Sequence, residues 1–246
     1  MQGVKAALFF DLHTHMLYGV DDGAPDRAEM IAMLETAYAD GVRAVCLTPH
    51  FSPYHFGDTA ESSERAFSEL SAYVLEAHPD MKLFLGHELG FYHGCEEALS
   101  SGRCRTLAGS RYLLVDFPYD VDFFEIKHAL DRLSRSGYRP VLAHAECYFA
   151  LHRKLSWLEE FAEGGGIIQL DADSACGANG NAVRKQFIRL IKRRLAHVVS
   201  SDAHNMTTRP PLISRCMPIL NKYCDEEYIA FLVWQNAYDI VQDLPI

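Results

Sequence analysis

The sequence predicts an α/β fold in which parallel strands close, or nearly close, into a barrel. Three observations predict it. Seven short apolar runs recur along the chain, each followed by a segment of helical periodicity. No linker, repeat or low-complexity stretch interrupts them, so residues 1–246 read as a single domain. The length, 246 residues with 49% hydrophobic content, suits one large domain or two small ones, and a barrel of this class commonly reaches it as a single unit. An open, doubly wound sheet is the alternative arrangement of the same elements.

The apolar runs fall at residues 7–10, 44–47, 83–85, 112–115, 140–143, 167–170 and 197–200. Continuous apolarity over so few residues marks strands buried on both faces, as in parallel sheets. The helices between them carry their own punctuation. Asp26 is placed to cap a helix through Ile31, Leu34 and Tyr38, which Gly41 stops. Asp58 with Glu61 forms a capping-box pattern ahead of Phe67, Leu70 and Val74. Asp122 with Glu125 repeats it, and Gly137 ends that helix. Further helices are expected over 151–162, 182–194, 211–223 and 226–240. Gly164, Gly165 and Gly166 lie between a helix and a strand and mark a turn.

Composition narrows the function. The formal net charge is −10, and the one basic run, Lys192-Arg193-Arg194, sits where cations face a helix dipole. Nucleic acid is therefore not an expected partner. Seven cysteines at irregular spacing, without a CxxC, exclude a disulfide framework or a zinc finger and fit reduced thiols in a cytoplasmic protein. Residues 1–10 lack a signal-peptide pattern, and no apolar run approaches membrane-spanning length. The absence of GxGxxG and GxxxxGK[ST] removes the usual nucleotide cradles.

The chemistry-bearing residues cluster by position. The first strand ends Asp11-Leu12-His13-Thr14-His15, the second Thr48-Pro49-His50, the third His87-Glu88 and the fourth Asp116. The fifth ends His144-Ala145-Glu146, the sixth Asp171 and the seventh Asp202-Ala203-His204. C-terminal strand ends of an α/β barrel converge on one rim, where active sites form. So many carboxylates and imidazoles resist sharing a cleft unless cations separate them. Mixed nitrogen and oxygen ligands suit Zn, Mn or Fe. In an extended segment His13 and His15 point to one side and grip one ion together, and Asp202 and His204 do likewise. His87 points away from the face of Glu88. His78, His128, His152 and His197 read as structural, whereas His55 and His93 lie in loops beside the rim, within reach of a substrate.

These motifs resemble those of the PHP (polymerase and histidinol phosphatase) superfamily. The residues Asp11-Leu-His13-Thr-His15 match its first motif, Thr48-Pro49-His50 its second, His144 its third and Asp202-Ala-His204 its last. Gly19-Val20-Asp21-Asp22-Gly23, Ser110 to Leu114, and Ser201 to Asn205 followed by Arg209-Pro210-Pro211 resemble the CpsB-type bacterial tyrosine phosphatases. The resemblance implies a distorted (β/α)7 barrel holding two or three divalent cations. One would be held by His13, His15, Glu88 and Asp202. A second would be held by Glu88, Asp116 and His144, and a third by Asp22, His50 and His204. It further implies Arg209 as a phosphate contact, with Asp11 and Glu146 orienting ligands at the site. Three positions depart from the relatives: Asp116 stands where they usually carry Glu, Cys147 where they carry an Arg, and Asp171 where they often carry an amide.

The implied activity is hydrolysis of a phosphotyrosine phosphomonoester by metal-activated water, with a tyrosine-phosphorylated bacterial kinase as partner in surface-polysaccharide regulation. The Cys-x5-Arg pattern of thiol-based tyrosine phosphatases occurs at none of the seven cysteines, so no phosphocysteine is expected. The alternatives are a small-molecule phosphatase such as one acting on histidinol phosphate, a non-catalytic metal-binding PHP domain, and a nuclease-like phosphodiesterase. The acidic balance speaks against the last.

Overall fold

Among the described residues the apolar runs assemble as nine strand segments, all paired in parallel: β1 (Phe9–Asp11), β2 (Val42–Leu47), β3 (His50–Phe51), β4 (Lys82–Leu85), β5 (Glu88–Gly90), β6 (Tyr112–Asp116), β7 (Arg139–Leu142), β8 (Ile167–Asp171) and β9 (Val198–Ser200). The computed structural model describes residues 8–246, so Ala7 and nearly all of the N-terminal segment tested for a signal peptide lie outside the described residues. The segments run β1-β2-β4 in one sheet and β3-β5-β6-β7-β8-β9 in the other.

Nine segments occupy seven strand positions. β2 and β3 are one run broken at Thr48-Pro49, and β4 and β5 are one run broken at Gly86-His87. Pro49 has no N–H for a ladder. A Cβ at Gly86 would come within 3.1 Å of the Leu107 backbone, which crosses at that point. The second and third expected strands stay paired with each other across these breaks, Ala44–Leu47 on Lys82–Leu85 and His50-Phe51 on Glu88-Leu89, and beyond its break the third also pairs β6. The curled sheet meets itself at the C-terminal rim. There Thr14 bridges Ala203, Asp202 N–H donates to His13 O at 2.9 Å and His15 N–H to Ala203 O at 2.8 Å. The outcome is a distorted (β/α)7 barrel, not an open doubly wound sheet.

Strand alternation divides the core into two. Phe10, Leu12, Cys46, Tyr112, Leu114, Val141, Ile167 and Val198 fill the inside of the curl. Phe9, Val45, Leu47, Leu113, Val115, Leu142 and Val199 face outward onto the helices. Each such side chain contributes roughly 1.5–3 kcal/mol when fully buried. Filling the lower barrel with hydrocarbon leaves only the upper rim for polar side chains.

The helices are α1 (Arg27–Asp40), α2 (Ala60–Ala77), α3 (Cys95–Ser100), α4 (Phe123–Arg135), α5 (Leu155–Glu163), α6 (Ala172–Cys176), α7 (Asn181–Lys192), α8 (Met217–Tyr223), α9 (Glu226–Ala230) and α10 (Asn236–Val241). A π-helical turn over Phe231–Gln235 joins α9 to α10. Ala237, Ile240 and Val241 of α10 then close the bottom of the barrel. Asp26 caps α1 by accepting from Glu29 N–H at 3.0 Å, and Gly41 ends it at φ 106°. Asp122 caps α4 through Phe124 and Glu125 N–H. At α2 the cap differs from expectation: Thr59 is the N-cap residue, and its hydroxyl donates to His50 O at 2.9 Å. Asp58 accepts only from Ala60 N–H. The short helices α3 and α6 have too few residues to show a period. The helix expected from 151 starts at Leu155, after a 3-10 turn over Phe149–Leu151. The one expected from 211 opens with a 3-10 turn over Ile213–Cys216. Among the described residues, no helix is long and apolar enough to cross a membrane.

Candidate metal centre

The rim side chains arrive from six strand positions and one loop. His13 and His15 follow β1, His50 opens β3, Glu88 opens β5 and Asp116 closes β6. His144 follows β7, and Asp202 and His204 follow β9. Asp22 comes from the loop after His15, which folds back so that Ala24 N–H donates to His15 O. Gly23 makes that fold possible, because a Cβ there would run into His15 O. His144 and Asp202 adopt left-handed backbone, at φ 31° and 50°. Such conformations cost energy for residues with a Cβ and persist where the surroundings enforce them. Asp202 and His204 therefore meet through a turn and not through the strand alternation expected for them. Buried Asp11 helps to hold that turn by accepting from Ser201 N–H at 2.9 Å.

The side chains converge on one cluster. His13 Nε2 lies 3.1 Å from His15 Nε2, 3.3 Å from Glu88 Oε1 and 3.3 Å from Asp202 Oδ1. His15 Nε2 lies 3.2 Å from Glu88 Oε2 and 3.4 Å from Asp202 Oδ1. On one flank His144 Nε2 is 3.2 Å from Glu88 Oε1 and 3.5 Å from Asp116 Oδ1. On the other, Asp22 Oδ1 is 3.5 Å from His50 Nε2 and 3.4 Å from His204 Nε2. Potential ligand atoms thus gather as His13-His15-Glu88, as His50-Glu88-Asp116 and as His15-Asp22-His50-His204. Glu88 belongs to the first two groups, as expected of a bridging carboxylate. His50, expected only with Asp22 and His204, also approaches Glu88, at 2.9 Å from Nδ1.

The donor set suits divalent cations. Glu88 Oε2, Asp202 Oδ1 and His204 Nε2 are buried without hydrogen-bond partners. Orphaned buried polar atoms are costly, and three gathered in one cluster of imidazoles and carboxylates are what a bound cation would satisfy. Burial opposes ionisation of Glu88 and Asp202. The imidazoles around Glu88 and the His13 and Arg209 charges beside Asp202 outweigh it and hold both carboxyls well below the usual range. Burial and the neighbouring Glu88 raise Asp116 instead. His15 and His144 are pushed well above the ordinary imidazole value, against burial, by the carboxylates around them. Imidazoles held this close to carboxylates are the environment a cation would take over.

Three orienting groups had no role assigned from the sequence. Asp21 accepts from His15 Nδ1 at 2.7 Å, from His50 N–H at 2.8 Å and from Gly23 N–H at 2.9 Å. Gln169 Oε1 lies 3.2 Å from His13 Nδ1 and accepts from His144 N–H at 2.7 Å. The Tyr148 hydroxyl donates to Asp116 Oδ1 at 2.9 Å. Adjacent Asp21 and Asp22 were visible as a pair. Gln169 gave no signal, because a polar residue within an apolar strand is informative only once its neighbours are known.

The remaining expected residues surround the cluster. Arg209 sits at its lip and pairs with Asp202. With Asp22, His50, Glu88, Asp116, Tyr119, His144 and Asp202 it lines a cleft of about 250 Å³. Two aromatic rings flank this cleft: Phe56 stacks on His50 at 5.2 Å and Tyr119 lies 6.0 Å from His144. Glu146 and Asp171 are buried side by side with Cys147. Glu146 Oε1 accepts from Asp171 N–H at 2.8 Å, and burial raises the Glu146 carboxyl to about 7. His87 accepts from Arg105 N–H and contacts Ser63, away from the cluster. His78 meets Glu35, His152 meets Glu146 O and His197 accepts from Ile168 N–H, all structural contacts.

The family model for capsular polysaccharide synthesis, CpsB/CapC, matches residues 9–242. The chain belongs to the CpsB/CapC family. A member from Staphylococcus aureus, named as putative tyrosine-protein phosphatase CapC, is 30% identical over 205 residues, covering 83% of this chain and 80% of its own. A solved chain from the structures of YwqE (Bacillus subtilis) and CpsB (Streptococcus pneumoniae), described as metal-dependent tyrosine phosphatases, superposes with a TM-score of 0.85. It is 28% identical and covers 96% of each chain. Histidinol phosphate phosphatase of Lactococcus lactis shares the fold, with a TM-score of 0.57 at 14% identity, covering 87% of this chain and 93% of its own. The CpsB/CapC chain described here therefore shares its α/β barrel with metal-dependent tyrosine phosphatases of known structure over 96% of its length.

Proposed function

We propose that this chain is a metal-dependent phosphomonoesterase that hydrolyses phosphotyrosine in proteins. The observation that carries the reading is the gathering of nine potential ligand residues, among them the orphaned buried oxygens of Glu88 and Asp202, at the floor of a cleft with a guanidinium at its lip. The names of its CpsB, CapC and YwqE relatives support it. His13, His15, Asp22, His50, Glu88, Asp116, His144, Asp202 and His204 are the proposed ligands for two or three ions of Mn, Fe or Zn. When bound, such ions lower the pKa of water from ~15.7 toward neutrality and neutralise phosphoryl charge.

The residues of the chain do the rest. Asp21 and Gln169 fix the ring orientation of His15 and His13. Arg209 binds phosphoryl oxygens while keeping Asp202 in place. Phe56 and Tyr119 flank the substrate's phenyl ring. Glu146 holds the end of β8 against the turn that carries His144. A phenolate leaves readily, its conjugate acid having a pKa near ~10. Cys147 has no part as nucleophile, because burial pushes its thiol far above the usual value. We further propose that the substrate is a tyrosine-phosphorylated bacterial kinase, that the enzyme works in the cytoplasm as one domain, and that it acts in surface-polysaccharide assembly, the last supported by the family description.

Turnover of phosphotyrosine peptides should vanish with chelator and return with Mn²⁺, and His13→Ala should abolish it in a folded protein. Activity that survives in His13→Ala, or faster turnover of histidinol phosphate than of phosphotyrosine peptide, would refute the assignment.

A further inference from the structure

Beside the metal cleft lies a second, larger hollow of about 640 Å³, between the segment after β5 and the first turns of α4. Phe91, Phe117, Val121 and Ala129 give it an apolar lining, and Asp120 and Glu125 are acidic groups on its walls. The one guanidinium in its wall, Arg132, is already engaged by Glu96. Phe117 and Pro118 line both this groove and the metal cleft, so the two cavities share a wall. Tyr148 holds that wall in place, its hydroxyl accepting from Phe117 N–H at 3.1 Å.

We propose that this groove receives an apolar side chain of the phosphorylated polypeptide, a few residues from the phosphotyrosine, and so decides which phosphotyrosine proteins are turned over. The inference rests on the phosphotyrosine reading above and extends it to sequence context. Continuity selects the occupant. A chain whose phosphotyrosine enters the metal cleft passes over Pro118, and at ~3.4 Å per residue its next few residues reach the groove. The volume lies in the range of sites that enclose a bulky group, enough for one aromatic or large aliphatic side chain. Asp120 and Glu125 repel an acidic neighbour of that side chain and accept a basic one. A free small molecule has no comparable reason to lie where the wall is shared with the catalytic cleft.

The test compares two phosphotyrosine peptides, one with Phe or Leu in the positions flanking the phosphotyrosine and one with Gly, alongside p-nitrophenyl phosphate. Wild-type enzyme should favour the apolar peptide by about 10- to 100-fold in kcat/KM, mostly through KM. Val121→Glu and His128→Trp, each altering the groove and neither touching the metal ligands, should erase that preference. Both should leave p-nitrophenyl phosphate turnover within about twofold of wild type, which also shows that they fold; His128 is exposed on α4 and serves if Val121→Glu does not fold. Equal rates on both wild-type peptides, or a preference that survives both substitutions, would overturn the groove's role while leaving the phosphatase reading intact. No turnover of any of the three substrates would bring down the phosphatase reading, and the groove proposal with it.

Discussion

Replacing Asp21 with asparagine isolates what one carboxylate does for the proposed metal centre. Asp21 Oδ2 accepts hydrogen bonds from His15 Nδ1 and His50 N–H, and Oδ1 accepts one from Gly23 N–H. An amide of the same shape offers one acceptor and one donor. Whichever way it turns, at least one of the three donors faces an N–H. A buried donor left without a partner costs about 1–3 kcal/mol. Part of that cost falls on folding and part on cation binding, because His15 is no longer held in the tautomer that presents Nε2. Loss of such an orienting carboxylate typically weakens metal affinity 10- to 100-fold, which is about 1.4–2.8 kcal/mol. The assay is phosphatase activity against free Mn²⁺, with calorimetric titration of chelator-treated protein as a second readout. The half-saturating Mn²⁺ concentration should rise by that factor, while kcat at saturating Mn²⁺ stays within a few-fold of wild type. Half-saturation within twofold of wild type would refute the claim that Asp21 orients a ligand.

Three further outcomes follow from the same geometry. Arg209→Ala removes the guanidinium at the lip, and losing a charge-assisted contact worth about 1.5–3 kcal/mol should lower kcat/KM for aryl phosphates roughly 10- to 150-fold. Arg209→Lys should recover part of the loss, and an unchanged kcat/KM in the alanine variant would remove Arg209 from the substrate site. Cys147→Ser should keep most activity, since the thiol is buried and held protonated; abolished turnover, or a trapped phosphocysteine, would overturn direct hydrolysis by water. Chelator-treated and metal-loaded protein should respond to pH in opposite ways. His13 and His15 have raised folded values, so the stability they contribute without metal is complete below the unfolded value near 6.5 and is lost as pH rises through the folded values. Asp11, raised to about 6, acts in the same direction at lower pH. The depressed Glu88 and Asp202 act oppositely, losing their contribution only as pH falls through their low folded values. Melting temperature of the chelator-treated protein should therefore fall from pH 6 toward pH 8, whereas metal affinity rises over that range as imidazoles lose protons. Parallel pH profiles would show that the imidazoles do not bind the metal.

Much of this cluster was legible in the sequence alone, because local rules write it into the chain. Apolar runs of four or so residues mark buried parallel strands, and the residue just past such a run belongs to the barrel's functional rim whatever the helices do. His13, His15, His50, Glu88, Asp116, His144, Asp202 and His204 were found on that ground, and Asp22 by its resemblance to a family motif. Position in the sequence, however, says only that a side chain reaches the rim, not which way it turns there. Asp11, Glu146, Asp171 and His87 also stand at strand ends, yet they hold Ser201, the end of β8 and Arg105, and none joins the ligand cluster. The difference lies in backbone dihedrals and strand breaks, which depend on contacts distant along the chain, from Gly86 against Leu107 and His144 on Gln169 to Asp202 on His13. The left-handed turns at His144 and Asp202, the breaks before His50 and at Gly86-His87, and Gln169 reaching His13 are of this kind. Sequence periodicity is a property of neighbours along the chain. The geometry of the cluster is a property of neighbours in space, and only the folded barrel specifies it.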